Sequence, residues 1–318
     1  MILPILVWML VFAASLFVLI EASNYFTSAA ERIGLAFGIP DFVVGITIVA
    51  LGTSLPELVS SIFAVIQGSS EIVIGNVIGS NITNVFLIIG LTSIVAKKIC
   101  ITYELVHIDL PLLMGTALLL VVTVWDGVFS FFEAIICLAA FFVYLFHSIS
   151  GEKETGGKKI ASRGKKVRSR ERVRARFFVV LGVSAFLIFL GGRYTIAAVI
   201  EISSLLNIGK EIIAATAVAL GTSLPELVVS LTAARQGRPE IAIGNVIGSN
   251  IFNAVAVMGI PALIGRLIIP DSIVMFGVPM MVIASLLFFF MAQDKEITRW
   301  EGWLLLVFYG LYIGGLFR

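Results

Sequence analysis

Residues 49–59 read VALGTSLPELV, and residues 218–228 read VALGTSLPELV a second time. Each copy is followed by a second matching block. Residues 71–84 are EIVIGNVIGSNITN and residues 240–253 are EIAIGNVIGSNIFN, which differ at two of fourteen positions. The offset is 169 in both blocks, and Gln67-Gly68 recurs as Gln236-Gly237. Identity of this length at a constant offset marks an internal duplication, so the chain reads as two halves.

Outward from the motif the chain is apolar. Of its 318 residues 59% are hydrophobic and 13% charged, with a mean hydropathy of +1.08. A soluble globular protein carries about 25% charged residues. The composition excludes water-soluble, disordered, nucleic-acid-binding and collagen-like classes and points to a multi-span membrane protein. A hydrocarbon core of about 30 Å needs about 20 apolar residues per helix. Ten such segments can be marked, at roughly 2–22, 42–66, 71–95, 105–124, 128–149, 177–200, 211–235, 240–264, 272–292 and 301–317. Five lie in each half, an odd number, so the second half is expected to insert upside down relative to the first. The expected fold is therefore all-α, with ten transmembrane helices in two inverted five-helix repeats. Inverted repeats of this kind are a transporter architecture, with the substrate site near the midplane. The N-terminus, without a basic leader, reads as the first span and not as a signal peptide.

The long polar stretch, residues 150–176, separates a first repeat (1–149) from a second (177–318). It holds eleven of the 22 Lys and Arg against Glu152, Glu154 and Glu171, a net charge of +8 that leaves the rest of the chain at −6. By the positive-inside rule it is expected to be cytoplasmic, with both termini outside. Arg32, Lys97, Lys98, Arg235, Arg238, Lys295 and Arg299 then fall inside as well, which places 18 of the 22 basic residues there. A solvated linker is the simplest account of this loop, and contact with anionic membrane lipid is the alternative. Cys100 and Cys137, with the distant His107 and His147, form neither a disulfide framework nor a transition-metal site. No cofactor and no obligate protein partner is expected, and a monomer suffices.

The motif lies inside spans. Glu57 and Glu226 sit some ten to fifteen residues from either end of their segments. A charge at that depth costs about 2.5–3.5 kcal/mol on insertion scales, and an intramembrane carboxylate is by default functional. A structural Glu would need a buried basic partner, and the marked spans hold none at that depth. The neighbours suit a cation. Pro56 and Pro225 lack an N–H, so the carbonyls of Gly52 and Gly221 are expected to lose their helical partners and become available as ligands. Thr53 shares a helix face with Glu57, and Ser54 adds a hydroxyl. Asn76, Ser80 and Asn84 form one oxygen-bearing stripe on the next helix. The second copy supplies Thr222, Ser223, Glu226, Asn245, Ser249 and Asn253. Hard cations such as Ca²⁺ take 6–8 oxygen ligands. Gly75-x-x-x-Gly79 and Gly244-x-x-x-Gly248 would allow close helix approach.

Gly-Thr-Ser-Leu-Pro-Glu twice, each time followed by Gly-Asn-Val-Ile-Gly-Ser, resembles the two alpha-repeats of the sodium/calcium exchanger branch of the calcium/cation antiporters, as in the ten-helix archaeal and bacterial members. The resemblance covers nearly the whole chain. It implies a long first helix in each half that slides against a rigid core, and extrusion of Ca²⁺ driven by inward Na⁺ flow. Carried over by position, it makes Glu57 and Glu226 shared carboxylate ligands, with oxygens from Thr53, Ser54, Thr222 and Ser223. It gives Ala50 and Ala219 as carbonyl donors to Na⁺, and Ser80, Ser249, Asn84 and Asn253 as the rest of the site. One departure stands out: some relatives, including potassium-dependent ones, carry Asp where this chain has Asn253. The site then has two formal charges, which argues against potassium co-transport. The proton-coupled branch usually has Gly-Asn-x-x-Glu in the motif, so Na⁺ coupling is preferred and H⁺ coupling is the alternative.

Charge arithmetic favours exchange. Two ionised carboxylates are neutralised by one Ca²⁺, two Na⁺ or two protons, and a third Na⁺ would make transport electrogenic. An empty occluded site would strand both charges, at several kcal/mol each. A passive channel is the rival from another class, but pores are commonly rings of identical subunits. An intramembrane enzyme is disfavoured, because no Ser-His, Gly-x-Ser-x-Gly or His-Glu-x-x-His pattern is present. A multi-pass protein of the plasma membrane is expected.

Overall fold

The computed structural model of the chain describes residues 2–36, 50–101, 108–155, 175–237 and 239–317. The start of the expected second span, His107 and most of the basic loop lie outside the described residues. The first half contains α1 (Ile2–Ala36), α2 (Ala50–Thr53), α3 (Leu55–Ile66), α4 (Glu71–Ile82), α5 (Gly90–Ala96), α6 (Leu110–Val124) and α7 (Phe131–Thr155). The second contains α8 (Ala175–Leu206), α9 (Lys210–Ile213), α10 (Ala219–Thr222), α11 (Leu224–Arg235), α12 (Pro239–Phe252), α13 (Met258–Ala262), α14 (Val278–Ala292) and α15 (Arg299–Leu316). Segments of π-helix join α4 to α5 (Thr83–Ile89), α9 to α10 (Ala214–Val218) and α12 to α13 (Asn253–Val257), and a fourth, Ile273–Gly277, leads into α14.

The chain is a membrane protein. Five described helical stretches are long and apolar enough to cross a bilayer, and a sixth joins them if Lys210–Thr222 and Leu224–Arg235 form one span bent by 42°. Leu55–Ile66, Leu110–Val124 and Phe131–Phe146 are shorter apolar helices. The stretch Glu71–Ala96 is buried almost throughout, whereas Leu3–Ala30 and Arg176–Leu206 are mostly exposed. A helix apolar on every side yet exposed to its surroundings is one that meets lipid. These two long helices pack along each other at the edge of the core. Their length agrees with the long first helix that the resemblance implies for each half. The first expected span was too short: α1 continues to Ala36, because nothing between Pro4 and Gly34 breaks a helix.

Both copies of the motif break their helix at the serine before Leu-Pro-Glu. Ser54 has φ −93°, ψ 11° and Ser223 has φ −81°, ψ 6°, with proline in the first turn of the next helix. Missing N–H groups at Pro56 and Pro225 cause the break. The freed-carbonyl expectation needs correction in the second copy. There the N–H groups at the end of α10 turn to the carbonyls of Ala219 and Gly221, so the tightened turn replaces the partner that Pro225 cannot supply and the Gly221 carbonyl is not left open.

The duplication extends well beyond the motif. Strand β1 (Lys98–Cys100) pairs antiparallel with β4 (Glu296–Thr298), and β2 (Val128–Phe129) with β3 (Leu267–Ile268). Ile99 faces Ile297 in one ribbon and Ile268 faces Val128 in the other. Adding 169 to Ile99 gives Ile268, and adding it to Val128 gives Ile297. The two ribbons are therefore the same cross-half pairing made twice. Each ties the segment after the third apolar stretch of one half to the segment before the fifth of the other.

In lipid, burial of apolar area gives little drive for helix association, so close packing must supply it. Gly75 and Gly79 provide that on α4. A Cβ at Gly75 would stand 2.4 Å from the Glu211 carbonyl oxygen, and one at Gly79 would stand 2.4 Å from that of Ala215. The equivalent partners of Gly244 and Gly248 would fall on residues 42–50, nearly all outside the described residues.

Candidate cation site

The helix breaks bring the two halves together at their motifs. Glu57 and Glu226 stand in the first turns of α3 and α11, and each is only 1% exposed. Their hydrogen bonds cross between the halves. Ser223 Oγ donates to Glu57 Oε1 at 3.4 Å, and Ser54 Oγ donates to Glu226 Oε1 at 3.1 Å. Ser249 Oγ adds a second bond to Glu226 Oε1 at 3.2 Å. Each carboxylate is thus held by the hydroxyl just after the other copy's Gly-Thr. Neither forms an ion pair among the described residues. The pairs present, Lys98 with Glu296 across the β1–β4 ribbon and Lys210 with Glu71 at 3.1 Å between two helix starts, are partly exposed. A structural role for the two Glu as partners of a buried base has no support.

The expected residues converge with different degrees of engagement. Thr222 Oγ1 donates to the Val218 carbonyl at 3.0 Å, with longer contacts to Ala219 O and Asn76 Oδ1, both at 3.4 Å. The buried Ala219 carbonyl also accepts the Ser223 N–H at 3.1 Å. Ala50 opens α2 and Thr53 closes it, half-buried. Ser80, Asn84 and Asn253 are all buried. Asn84 Nδ2 donates to Asn250 Oδ1 at 2.9 Å, while both amide atoms of Asn253 have no partner among the described residues.

Two pairs of asparagines act through their amide nitrogens. Asn76 and Asn245 brace the carboxylate helices through their nitrogens. Asn76 Nδ2 donates to Glu57 O at 3.4 Å and to Ser61 Oγ at 3.5 Å. Asn245 Nδ2 does the same to Glu226 O at 3.4 Å and Ser230 Oγ at 3.3 Å. Asn81 and Asn250, not singled out by the sequence reading, form a reciprocal clasp. Asn81 Nδ2 donates to Asn250 O at 3.3 Å, and Asn250 Nδ2 donates to Asn81 O at 3.2 Å. A self-complementary exchange of this kind is what a local twofold relation produces. Identity of Asn81 and Asn250 across the two copies was the available signal.

The helix α1 lies over both breaks. A Cβ at Gly52 would stand 2.2 Å from Thr27 Oγ1, and one at Gly221 would stand 2.2 Å from Leu16 Cδ2. Glycine at these positions is what allows α1 to pass this close.

One property of the cluster is chemically decisive. The buried side-chain oxygens that find no partner among the described residues include Glu57 Oε2, Glu226 Oε2, Ser80 Oγ, Asn84 Oδ1 and Asn253 Oδ1. The others are the hydroxyls of Thr27, Ser60, Thr83 and Thr92 and the Oδ1 of Asn81. Buried polar atoms are ordinarily satisfied, so buried carboxylate and amide oxygens left open are acceptors available to a positive species. Two carboxylates among neutral oxygens are a donor set suited to a hard cation rather than to a thiolate or imidazole metal.

Comparison with known proteins agrees. The family described as "Sodium/calcium exchanger protein" matches residues 7–150 and 176–318. The chain belongs to this family. Sodium/calcium exchanger MaX1 of Methanosarcina acetivorans is 35% identical, with 97% of this chain and 98% of the relative covered. An uncharacterized membrane protein of Methanocaldococcus jannaschii is 33% identical, covered over 96% of both chains. Among solved structures, the sodium-calcium exchanger NCX_Mj soaked with 100 mM Na⁺ and 10 mM Sr²⁺ matches with a TM-score of 0.66 at 30% identity, over 99% of each chain. The family is one of transporters. The gap between the two matched segments falls on the basic loop, so exchanger-like sequence occupies both halves and spares the linker.

Proposed function

We propose that the protein exchanges Ca²⁺ for Na⁺ across the cell membrane by alternating access. Two inverted five-helix repeats, residues 1–149 and 177–318, carry the ions between them at the midplane. The basic segment 150–176 is a cytoplasmic linker, and both termini are outside. The observation that carries this reading is the set of open, buried oxygens on Glu57, Glu226, Ser80, Asn84 and Asn253. Glu57 and Glu226 supply the charge. Ser54, Ser223, Thr53, Thr222, Ser80, Ser249, Asn84 and Asn253 supply neutral oxygens, and Ala50 and Ala219 supply backbone carbonyls.

The coupling comes from electrostatics. Two carboxylates with no basic partner are costly without cations, so the empty carrier rarely changes sides. One Ca²⁺ or at least two monovalent cations relieve the charge, and each crossing then carries one kind or the other. The second repeat's Asn253 keeps the formal charge at −2. Sodium is favoured over protons by the Gly-Thr-Ser-Leu-Pro-Glu motif and by the names of the relatives above.

The test is Ca²⁺ uptake into proteoliposomes loaded with Na⁺ or with choline at matched pH. Uptake that requires outward-directed Na⁺ is expected. Uptake indifferent to Na⁺ but driven by an acidic interior would reassign the chain to proton coupling. Uptake with no counter-ion requirement would make it a channel.

A further inference from the structure

We infer that Tyr312, far from the motif in sequence, is a positioning residue for the second half of the site. It pins a π-bulge that sets how Ala219 and Thr222 face the ions. This rests on the reading that these two residues are ligands.

The argument begins with a missing hydrogen bond. In the π-segment Ala214–Val218 the closing N–H groups go to the carbonyls of Ala214 and Thr216. The carbonyl of Ala215, between them, is skipped. A π-bulge always releases such a group, and a buried carbonyl needs another donor. Ala215 is only 1% exposed. Tyr312 Oη, from α15, donates to its oxygen at 3.0 Å. The phenol is itself fully buried and is aimed by packing. The Phe276 ring stacks on it at 6.2 Å with an interplanar angle of 7°. Gly315 makes room for Phe276, since a Cβ there would lie 2.1 Å from the ring.

The bond sits next to the proposed site. The same Ala215 oxygen is the atom that a Cβ on Gly79 would meet at 2.4 Å, and Gly79 precedes Ser80. Downstream, Val218 ends the bulge and its carbonyl accepts the Thr222 hydroxyl. A bulge holds one residue more than a regular turn. Its loss would rotate the downstream turn by about 100° relative to the upstream one. Ala219 and Thr222 would then turn away from Glu57 and Ser80. The phenol makes the bulged register the stable one.

The experiment uses the full chain carrying Tyr312→Phe, which keeps the ring and removes the hydroxyl. Amide hydrogen exchange is read over residues 210–223, and ion dependence is read as half-saturating concentration and maximum rate of uptake. Exchange in this segment is expected to quicken about tenfold. The half-saturating concentration of the driving cation is expected to rise about fivefold or more, with the maximum rate much less affected. Tyr309→Phe, on the same helix, should change neither. If Tyr312→Phe fails to fold, Gly79→Ala displaces the same carbonyl from the other side and should give the same pair of effects. Unchanged exchange over 210–223 would overturn the proposal. So would faster exchange with unaltered ion dependence. If the native chain moves Ca²⁺ without Na⁺, the functional reading fails, while the exchange measurement still decides whether Tyr312 holds the bulge.

Discussion

Replacing Glu226 by Gln should weaken cation binding and stabilise the empty protein at the same time. Glu226 Oε1 accepts hydrogen bonds from Ser54 and Ser249, while Oε2 accepts none among the described residues. A Gln must therefore keep its carbonyl oxygen at the position of Oε1, where two hydroxyls donate. Its amide nitrogen then takes the place of Oε2 and presents hydrogens to the cation. Breaking a buried charge pair from one side costs about 3–5 kcal/mol. At about 1.4 kcal/mol per factor of ten, Ca²⁺ binding should weaken by at least about 150-fold.

Thermal unfolding in detergent reads both effects. At a Ca²⁺ concentration about 100 times its dissociation constant, the native chain gains about 2.7 kcal/mol from the ion. At the same concentration a site about 150-fold weaker gains about 0.3 kcal/mol. The Ca²⁺-dependent rise in melting temperature should therefore almost vanish. Without Ca²⁺ the sign reverses, because the variant no longer buries a carboxylate in low dielectric. It should melt above the native protein, by roughly 2–4 °C per kcal/mol relieved. A variant with the native Ca²⁺-dependent shift would refute the assignment of Glu226 as a ligand. A variant destabilised with and without Ca²⁺ would show that the carboxylate is structural.

Gly52→Ala should drive α1 away from the first break, because its Cβ would reach within 2.2 Å of Thr27 Oγ1. Overpacking of this kind costs about 1–3 kcal/mol. Uptake and melting temperature should both fall, and adding Thr27→Ala should recover most of the loss. Asn81→Ala and Asn250→Ala should each destabilise by about 1–3 kcal/mol by leaving a buried carbonyl without its donor. In a double-mutant cycle read by thermal unfolding the pair should be less than additive, since each change already opens the same clasp. Full additivity would mean that the two amides act independently.

The carboxylates, the helix breaks and the duplication were legible because each has a local cause. A glutamate inside an apolar segment, a proline without an N–H and a repeated string need no knowledge of the partner. The elements that were not legible depend on tertiary contact. The π-segments have no local signature, since one extra residue in a turn becomes stable only when something satisfies the skipped carbonyl. For Ala215 that group lies 97 positions away. The spacing of the asparagine stripe shows that it is polar and buried, but not how its amides point. An amide carries donor and acceptor on one carbon, and only the packed structure shows that Asn76 turns its nitrogen to the Glu57 carbonyl. The ribbons of two or three residues are too short to read from periodicity, although their register obeys the 169-residue offset.

The two copies share a sequence but not a hydrogen-bond pattern, and that difference bears on alternation. Ser249 donates to Glu226, whereas its counterpart Ser80 finds no partner for its hydroxyl among the described residues. Asn84 donates to Asn250 Oδ1, whereas Asn253 Nδ2 and Asn81 Oδ1 both lack a partner among the described residues. Exchanging the roles of the halves would join Ser80 to Glu57 and Asn253 to Asn81, and would release the bonds now made. The two arrangements contain the same kinds and numbers of bonds, so their energies are close by construction. A transporter under alternating access needs that near-degeneracy, because a carrier strongly biased to one side would spend its driving force on reorientation. A repeat identical in its motifs and unequal in the hydrogen bonds around them is a way to hold two states of similar energy.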